Sequence, residues 1–143
     1  MYSEDLNIYA QFKKFSESLM TQDDLILRCP VLLGKYMKPN HITKIKNNID
    51  SISLSGDSTF NYVTYLDLCN FLHLSTHKDD CGIIDFVSNG CLKLNEVVSL
   101  YDSQTKLGQY AYVSDYNFIN PIYNISEDFN KTSLQVLEEF NDI

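Results

Sequence analysis

Residues 69–81 read CNFLHLSTHKDDC, and four side chains able to give a lone pair to a metal, Cys69, His73, His77 and Cys81, stand in it at equal steps of four. Thiolate and imidazole are the ligands of tetrahedral zinc, so the first chemistry to weigh is a metal centre. Helix geometry limits it. Each step of four turns a helix by about 400°, and the ends of the set lie about 18 Å apart along the axis, so four ligands on one straight helix cannot meet on one ion. Cys69 with His73, or His73 with His77, could share a metal, with a break at Ser75-Thr76 folding Cys81 back toward them. The simpler reading is a helix end with Cys69 buried as a small apolar residue, His77 in solvent and no metal bound.

The same residues offer a thiol nucleophile with an imidazole base, but in no context that would orient them. The chain has no GxSxG, no HExxH, no glycine-rich phosphate loop and no dinucleotide fingerprint. Asp79-Asp80 and Glu138-Glu139 read as solvated surface. These absences lead to the expectation of a chain that is not an enzyme and takes no cofactor, metal or small-molecule substrate. Another chemistry lies between Leu25 and Ile49, which hold no acidic residue and five cations, Arg28, Lys35, Lys38, Lys44 and Lys46. Lys35, Tyr36, Lys38, Lys44 and Lys46, with His41 among them, combine positive charge with stackable rings, the mixture that holds single-stranded nucleic acid. The whole chain carries a net charge of −8, which limits such contact to a weak one.

The elements that must position these residues follow from periodicity. Residues 3–20 form an amphipathic helix, with Ser3 as N-cap and Ile8, Phe12, Phe15 and Leu19 on one face. LILRCPVLLGKYM (25–37) reads as a strand with an irregular start at Pro30 and a bend near Gly34, and 38–48 as a basic loop. DSISLSG and TFNYVTYLDL read as a hairpin, followed by a short helix from about Leu66 carrying Leu68, Phe71 and Leu72. GIIDFVS and CLKLNEVVSLY flank Asn89-Gly90, the pair favoured in two-residue hairpin turns, and QYAYVSDYNF (109–118) extends the sheet. A helix closes the chain, capped by Ser126 or Asp128, with Phe129, Ser133, Val136, Leu137 and Phe140 on one face.

At 143 residues, 44% of them hydrophobic and 21% charged, the chain has the length and composition of one globular domain. It contains no apolar run long enough to span a membrane and no signal-peptide pattern at its start, so an intracellular protein with its four cysteines reduced is expected.

The order helix, bent strand, loop, hairpin, short helix, hairpin, strand, helix resembles the OB-fold, a five-stranded Greek-key barrel. RCPVLLGKYM (28–37) looks like the first strand, and CGIIDFVSNGCLKLNEVVSLYD (81–102) like the fourth and fifth, of the smallest subunits of replication protein A and of the telomeric CST complex. The closing helix matches their partner-binding helix in position. The resemblance implies one domain over 1–143, mainly β, with the N-terminal helix at 3–20, a barrel at 25–118 and a C-terminal helix at 128–140. It further implies a non-catalytic subunit of a complex that protects single-stranded DNA at telomeres, in the nucleus, holding a larger OB-fold partner through Phe129, Val136, Leu137 and Phe140. The second reading is an α/β adaptor of a cytosolic trafficking or signalling complex. Sheet topology separates the two.

Overall fold

The structure is a computed structural model that describes residues 8–75, 81–115 and 130–141. Helix α1 runs Ile8–Ser18. Strands β1 (Leu25–Arg28) and β2 (Val31–Leu33) follow on either side of Pro30, and then helix α2 (His41–Lys46). Strands β3 (Ser51–Leu54), β4 (Thr59–Phe60) and β5 (Tyr62–Thr64) lead into α3 (Tyr65–Ser75). Next come β6 (Gly82–Asp85), β7 (Leu92–Lys93), α4 (Leu94–Leu100), β8 (Lys106–Tyr110) and α5 (Ser133–Asn141).

Strand pairing overturns the barrel. Among the described residues β1 pairs with β6, β2 with β5 and β3 with β8, all parallel, and only β4 with β7 is antiparallel. Parallel neighbours need a crossover between them, which the intervening helices supply, so the architecture is α/β and not a closed Greek-key barrel. The long first strand is two strands with different partners. Pro30 cannot donate to a ladder, and the chain steps there from the β6 pairing to the β5 pairing.

Neither expected hairpin forms. β3 pairs with β8, and its neighbour β4 with β7. Gly108 permits the close passage of β8 over β3, because a Cβ there would lie 2.3 Å from the Ser53 carbonyl oxygen. At Asn89-Gly90 only Gly90 takes positive φ, at 67°, whereas the two-residue turn favoured by this pair requires both. Asn89 bridges instead to α5's lead-in: its N–H donates to the Lys131 carbonyl at 2.8 Å, and its carbonyl accepts from the Ser133 N–H at 3.2 Å. The shared parity of Leu92, Leu94, Val98 and Leu100 also suits a helix start, and α4 begins at Leu94, with Glu96 accepting from the Lys93 N–H at 2.7 Å.

Local capping explains two further departures. The expected basic loop holds α2, because Asn40 Oδ1 accepts from the Ile42 and Thr43 N–H groups while Thr43 Oγ1 accepts from the Asn40 N–H at 2.8 Å. Ile42 and Ile45 then point into the core. At the other end Thr132 and Gln135 cap α5 reciprocally, so the helix begins after 132. The expected cap residues Ser126 and Asp128, and Phe129, lie outside the described residues.

Two apolar clusters share the β2–β5 pair as a partition. Leu33 and Tyr62 face one, with Ile42, Ile45, Leu94, Val97, Val136, Leu137 and Phe140. Leu32 and Val63 face the other, with Phe71, Phe86, Leu25, Leu27 and Ile84. This explains why PVLLG and YVT read as continuous apolar runs rather than alternating ones: each strand is covered on both faces.

Candidate functional site

A buried polar knot fixes the segment in front of β5. Asn61 donates through Nδ2 to the Ser88 and Gly90 carbonyls at 2.8 and 2.9 Å, and its Oδ1 accepts from the Ser88 N–H at 3.0 Å. The Ser88 hydroxyl lies 2.7 Å from that of Ser133, which donates to the Gly90 carbonyl at 2.7 Å. Asn61, Ser88 and Ser133 are all buried, so the knot joins β5, the segment after β6 and α5 with its polar groups satisfied.

Above this knot opens a cleft of about 220 Å³ lined by Cys29, Pro30, Val31, Phe60, Asn61, Tyr112 and Ser114. Phe60 stacks on Tyr112, ring centres 4.9 Å apart and planes 10° apart, and on its other side His41 stacks on Phe60 at 4.1 Å. The lining carries no cation. Its chemistry is that of an apolar, aromatic wall with hydroxyl and amide groups at the rim, suited to an uncharged ring.

The titratable groups near the cleft are poor acid–base catalysts. Burial pushes the Cys29 thiol up to about 11, and burial raises Cys91 against the pull of its hydrogen bonds to Ser114 and Asn61. Neither is a thiolate nucleophile at neutral pH. Burial, with the Lys44 charge nearby, holds His41 down to about 4, so its ring is neutral with Nε2 3.0 Å from the Tyr62 hydroxyl. Burial also raises Tyr62 well above the ordinary phenol value and Tyr101 to about 12.

A different pair lies on α1. Tyr9 and Lys13 stand one turn apart on the same face, with the Lys13 ammonium 5.5 Å from the centre of the Tyr9 ring. Tyr9 is open to solvent. The end of this helix is clamped to β1: Glu17 receives two hydrogen bonds from Arg28, at 2.9 and 2.7 Å. The guanidinium hydrogen bond holds the Glu17 carboxyl below its ordinary range. The sequence reading took the helix over 3–20 by its apolar face and assigned no role to Tyr9 or Lys13. The signal was present: a phenol and an ammonium at i and i+4 face each other on any helix.

The sequence-expected residues are dispersed. Cys69 is exposed on α3 rather than buried, and Cys81 is exposed too. His73 is exposed on α3, and His77 lies outside the described residues. Among the described residues no three His, Cys, Asp or Glu side chains gather as a metal site. Lys35, Tyr36, Lys38 and Lys44 are exposed, with the Lys35 ammonium over the Tyr36 ring at 5.6 Å. Lys46 instead lies over the Phe140 ring at 4.5 Å, as part of the chain's own packing. Val136, Leu137 and Phe140 are buried in the core, so these three side chains present no surface to a partner.

No family model matches the sequence, and no curated protein matches it. Solved structures do match its fold. The chain is similar to a dTDP-4-dehydrorhamnose reductase from Clostridium acetobutylicum, at 13% identity and a TM-score of 0.62, over 93% of this chain and 52% of that one. It is similar to the same enzyme from Yersinia enterocolitica, at 20% identity and a TM-score of 0.53, over 82% of this chain and 48% of that one. A UDP-N-acetylglucosamine 4-epimerase from Methanobrevibacter ruminantium, solved with UDP-N-acetylmuramic acid, matches at 16% identity and a TM-score of 0.53, over 91% of this chain and 51% of that one. The chain thus spans about half the length of these structures, and over that span it has their Rossmann-like α/β fold.

These matches correct what rested on the barrel. The resemblance to the small subunits of replication protein A and CST does not hold, because the neighbours are α/β enzymes and the strands pair in parallel. With it go the non-catalytic subunit of a telomeric complex protecting single-stranded DNA, the larger OB-fold partner, and the expectation of a non-enzyme without a small-molecule substrate. The solved structures it matches include reductases and epimerases.

Proposed function

We propose that this chain is the acid–base and substrate half of a nucleotide-sugar reductase or epimerase. The observation that carries the reading is the fold, shared over nearly the whole of this chain with such enzymes while covering about half of theirs. Reduction of a sugar ketone, or inversion of a carbinol carbon through a ketone, needs a group that gives a proton to the oxygen or takes one from it. In this reading the exposed phenol of Tyr9 takes that role, and Lys13, one turn away, favours the negative charge that develops on the phenol oxygen as its proton leaves. The cleft beside Phe60 and Tyr112 takes an uncharged ring of the nucleotide sugar, and Arg28 holds the end of α1 to β1.

A hydride carrier is the other requirement, and this chain does not fit a dinucleotide. A Rossmann-type site wraps the pyrophosphate in a glycine-rich turn between strand and helix. No two of the five glycines here are closer than Gly82 and Gly90. The strand-to-helix passage from β2 to α2 holds one glycine, Gly34, and the space a Cβ would take there is filled by the Tyr65 ring at 2.6 Å. The dinucleotide therefore belongs outside these residues. The test is turnover by the purified protein, in whatever assembly it occurs, of dTDP-4-dehydrorhamnose or UDP-N-acetylglucosamine with added nicotinamide dinucleotide. Conversion of either is expected; no conversion of both rejects this reading.

A further inference from the structure

Strand β8 and the residues just after it use one edge and leave the other open. The even-numbered residues carry the bonds to the rest of the fold: the Lys106 N–H donates to the Asp50 carbonyl at 3.0 Å, and the Ser114 N–H to the Thr59 carbonyl at 3.2 Å. Between them the Tyr110 carbonyl accepts from the Ser55 N–H, and the Tyr112 carbonyl from the Thr59 N–H, both at 2.8 Å. Backbone groups alternate in direction along an extended chain, so those of Leu107, Gln109, Ala111 and Val113 point the other way. Among the described residues only β3 forms a sheet with β8, so that second edge has no strand beside it. Open edges are ordinarily blunted by charge or proline. Here LGQYAYVS (107–114) holds neither, residues 109–113 are all exposed, and Tyr110 and Val113 reach 65% and 71%.

We infer that two copies of this chain join through this edge, antiparallel, about a two-fold axis at Tyr110. In an antiparallel pair the residues whose backbone groups point at each other stand opposite, so outer residues must face outer residues. The register centred on Tyr110 uses all four: Leu107 meets Val113 of the second copy, Gln109 meets Ala111, and the axis repeats both pairs. Centring on Gln109 instead would set Val113 against Thr105, which is buried, and centring on Ala111 would set Leu107 against Asp115. With Tyr110 at the centre, Gly108 lies opposite Tyr112, whose ring covers the gap a glycine leaves in a strand. Charge favours the same arrangement. Lys106 and Asp115 are the only charged residues of 106–115, and antiparallel pairing brings each beside its opposite in the second copy, whereas parallel pairing would set lysine beside lysine. This self-complementarity selects a second copy over an unrelated strand, and the two-fold axis closes the assembly at two. The seam runs beside the cleft, because Tyr112 and Ser114 line it.

The test is disulfide joining of the full protein under mild oxidation, read by peptide mass spectrometry, which separates the new link from any made by the four native cysteines. On the axis the two copies of residue 110 form a pair without mutual backbone hydrogen bonds, with Cα atoms about 4.5 Å apart, within reach of a disulfide. Tyr110→Cys is therefore expected to give a peptide linked through position 110 in both copies. Val113→Cys is as exposed but stands six residues from its own counterpart along the seam, about 20 Å, and should join itself at least about tenfold less. Adding Ala111→Pro to Tyr110→Cys removes an outward N–H that bonds nothing within the chain's β3 pairing, so the joining is lost while the circular dichroism spectrum stays unchanged. Joining at 110 no greater than at 113, or joining undiminished by the proline, overturns the inference. The comparison of 110 with 113 needs no proline and decides alone if that variant unfolds. None of these readouts depends on turnover, so a failed joining leaves the proposed function standing, and a failed turnover leaves the seam standing.

Discussion

Helix α5 holds Val136, Leu137 and Phe140 at 8% exposure or less, whereas α1 leaves Ile8, Phe12, Phe15 and Leu19 at 61% or more. Both helices carry apolar residues at helical spacing. What differs is the neighbour. Helix α5 lies on β5 and is tied down by the Ser133 end of the Asn61 knot and by Lys131, which joins Asp67 of α3 at 2.9 Å and Glu139 of α5 at 2.8 Å. Burial would depress the Lys131 ammonium, but the hydrogen bonds it donates to Glu139 and Asp67 outweigh it and raise its pKa. Helix α1 has the Arg28–Glu17 clamp, and none of its residues is buried. Amphipathic spacing thus says that a face must be covered; it does not say that the same chain covers it.

The strongest way to break the contrast is to remove an equivalent apolar side chain from each helix. Leu137→Ala opens a cavity in the shared core and is expected to cost about 3 kcal/mol in urea unfolding, while Phe15→Ala in the isolated chain stays within about 0.5 kcal/mol. Equal losses would abolish the distinction between a packed and a waiting helix.

Acid attacks the packed side through His41, whose ring lies against Phe60 in the cluster that α5 closes. Its pKa falls from an ordinary 6.5 unfolded to about 4 folded, through burial and the Lys44 charge. As pH drops, the unfolded chain takes up the proton first, so this contribution is complete above pH 6.5 and is lost on the way down to about pH 4. The loss is on the order of 3 kcal/mol, and His41→Phe should flatten the stability profile over that interval. An unaltered profile would mean that the ring is not held neutral by burial.

A smaller loss follows from the polar knot. Asn61→Ala strands the Ser88 N–H and takes a donor from the Ser88 carbonyl, while the Gly90 carbonyl keeps the Ser133 hydroxyl, at a cost of about 2 kcal/mol, measurable in the same unfolding experiment. The smallest effect is on the α1 side. Arg28→Ala removes a pair that is partly open to solvent, changes global stability by under about 1 kcal/mol, and should speed amide exchange in α1 alone. Faster exchange across α5 as well would show that the two helices are coupled.

Helices α1, α3 and α5 were the legible part of the fold, whereas α2 was read as a loop and α4 as a strand. Phe71 and Leu68 mark α3, and the spacing of Phe12 and Phe15, or of Val136, Leu137 and Phe140, marks the end helices. Strand partners were not legible, because alternation along a strand specifies which side is buried and nothing about which strand lies beside it. A continuous run such as PVLLG was the one hint of a strand covered on both faces, and Asn89-Gly90 outweighed it with a turn signal that the fold uses for a different purpose. Asn40 and Thr43 already spelled a capping box inside the expected loop. Helix rise already kept the four candidate ligands of the 69–81 stretch apart, whereas Tyr9 and Lys13 carried their signal in a spacing that also belongs to ordinary solvated helix faces.

The central claim is that Tyr9 supplies the proton in a reaction on a nucleotide sugar, and the most direct measurement is the turnover of dTDP-4-dehydrorhamnose or UDP-N-acetylglucosamine by the assembly containing Tyr9→Phe. The variant lacks only an exposed hydroxyl, so its fold and unfolding midpoint should match the wild type while turnover falls at least about a hundredfold. Turnover within about twofold of wild type would contradict the account.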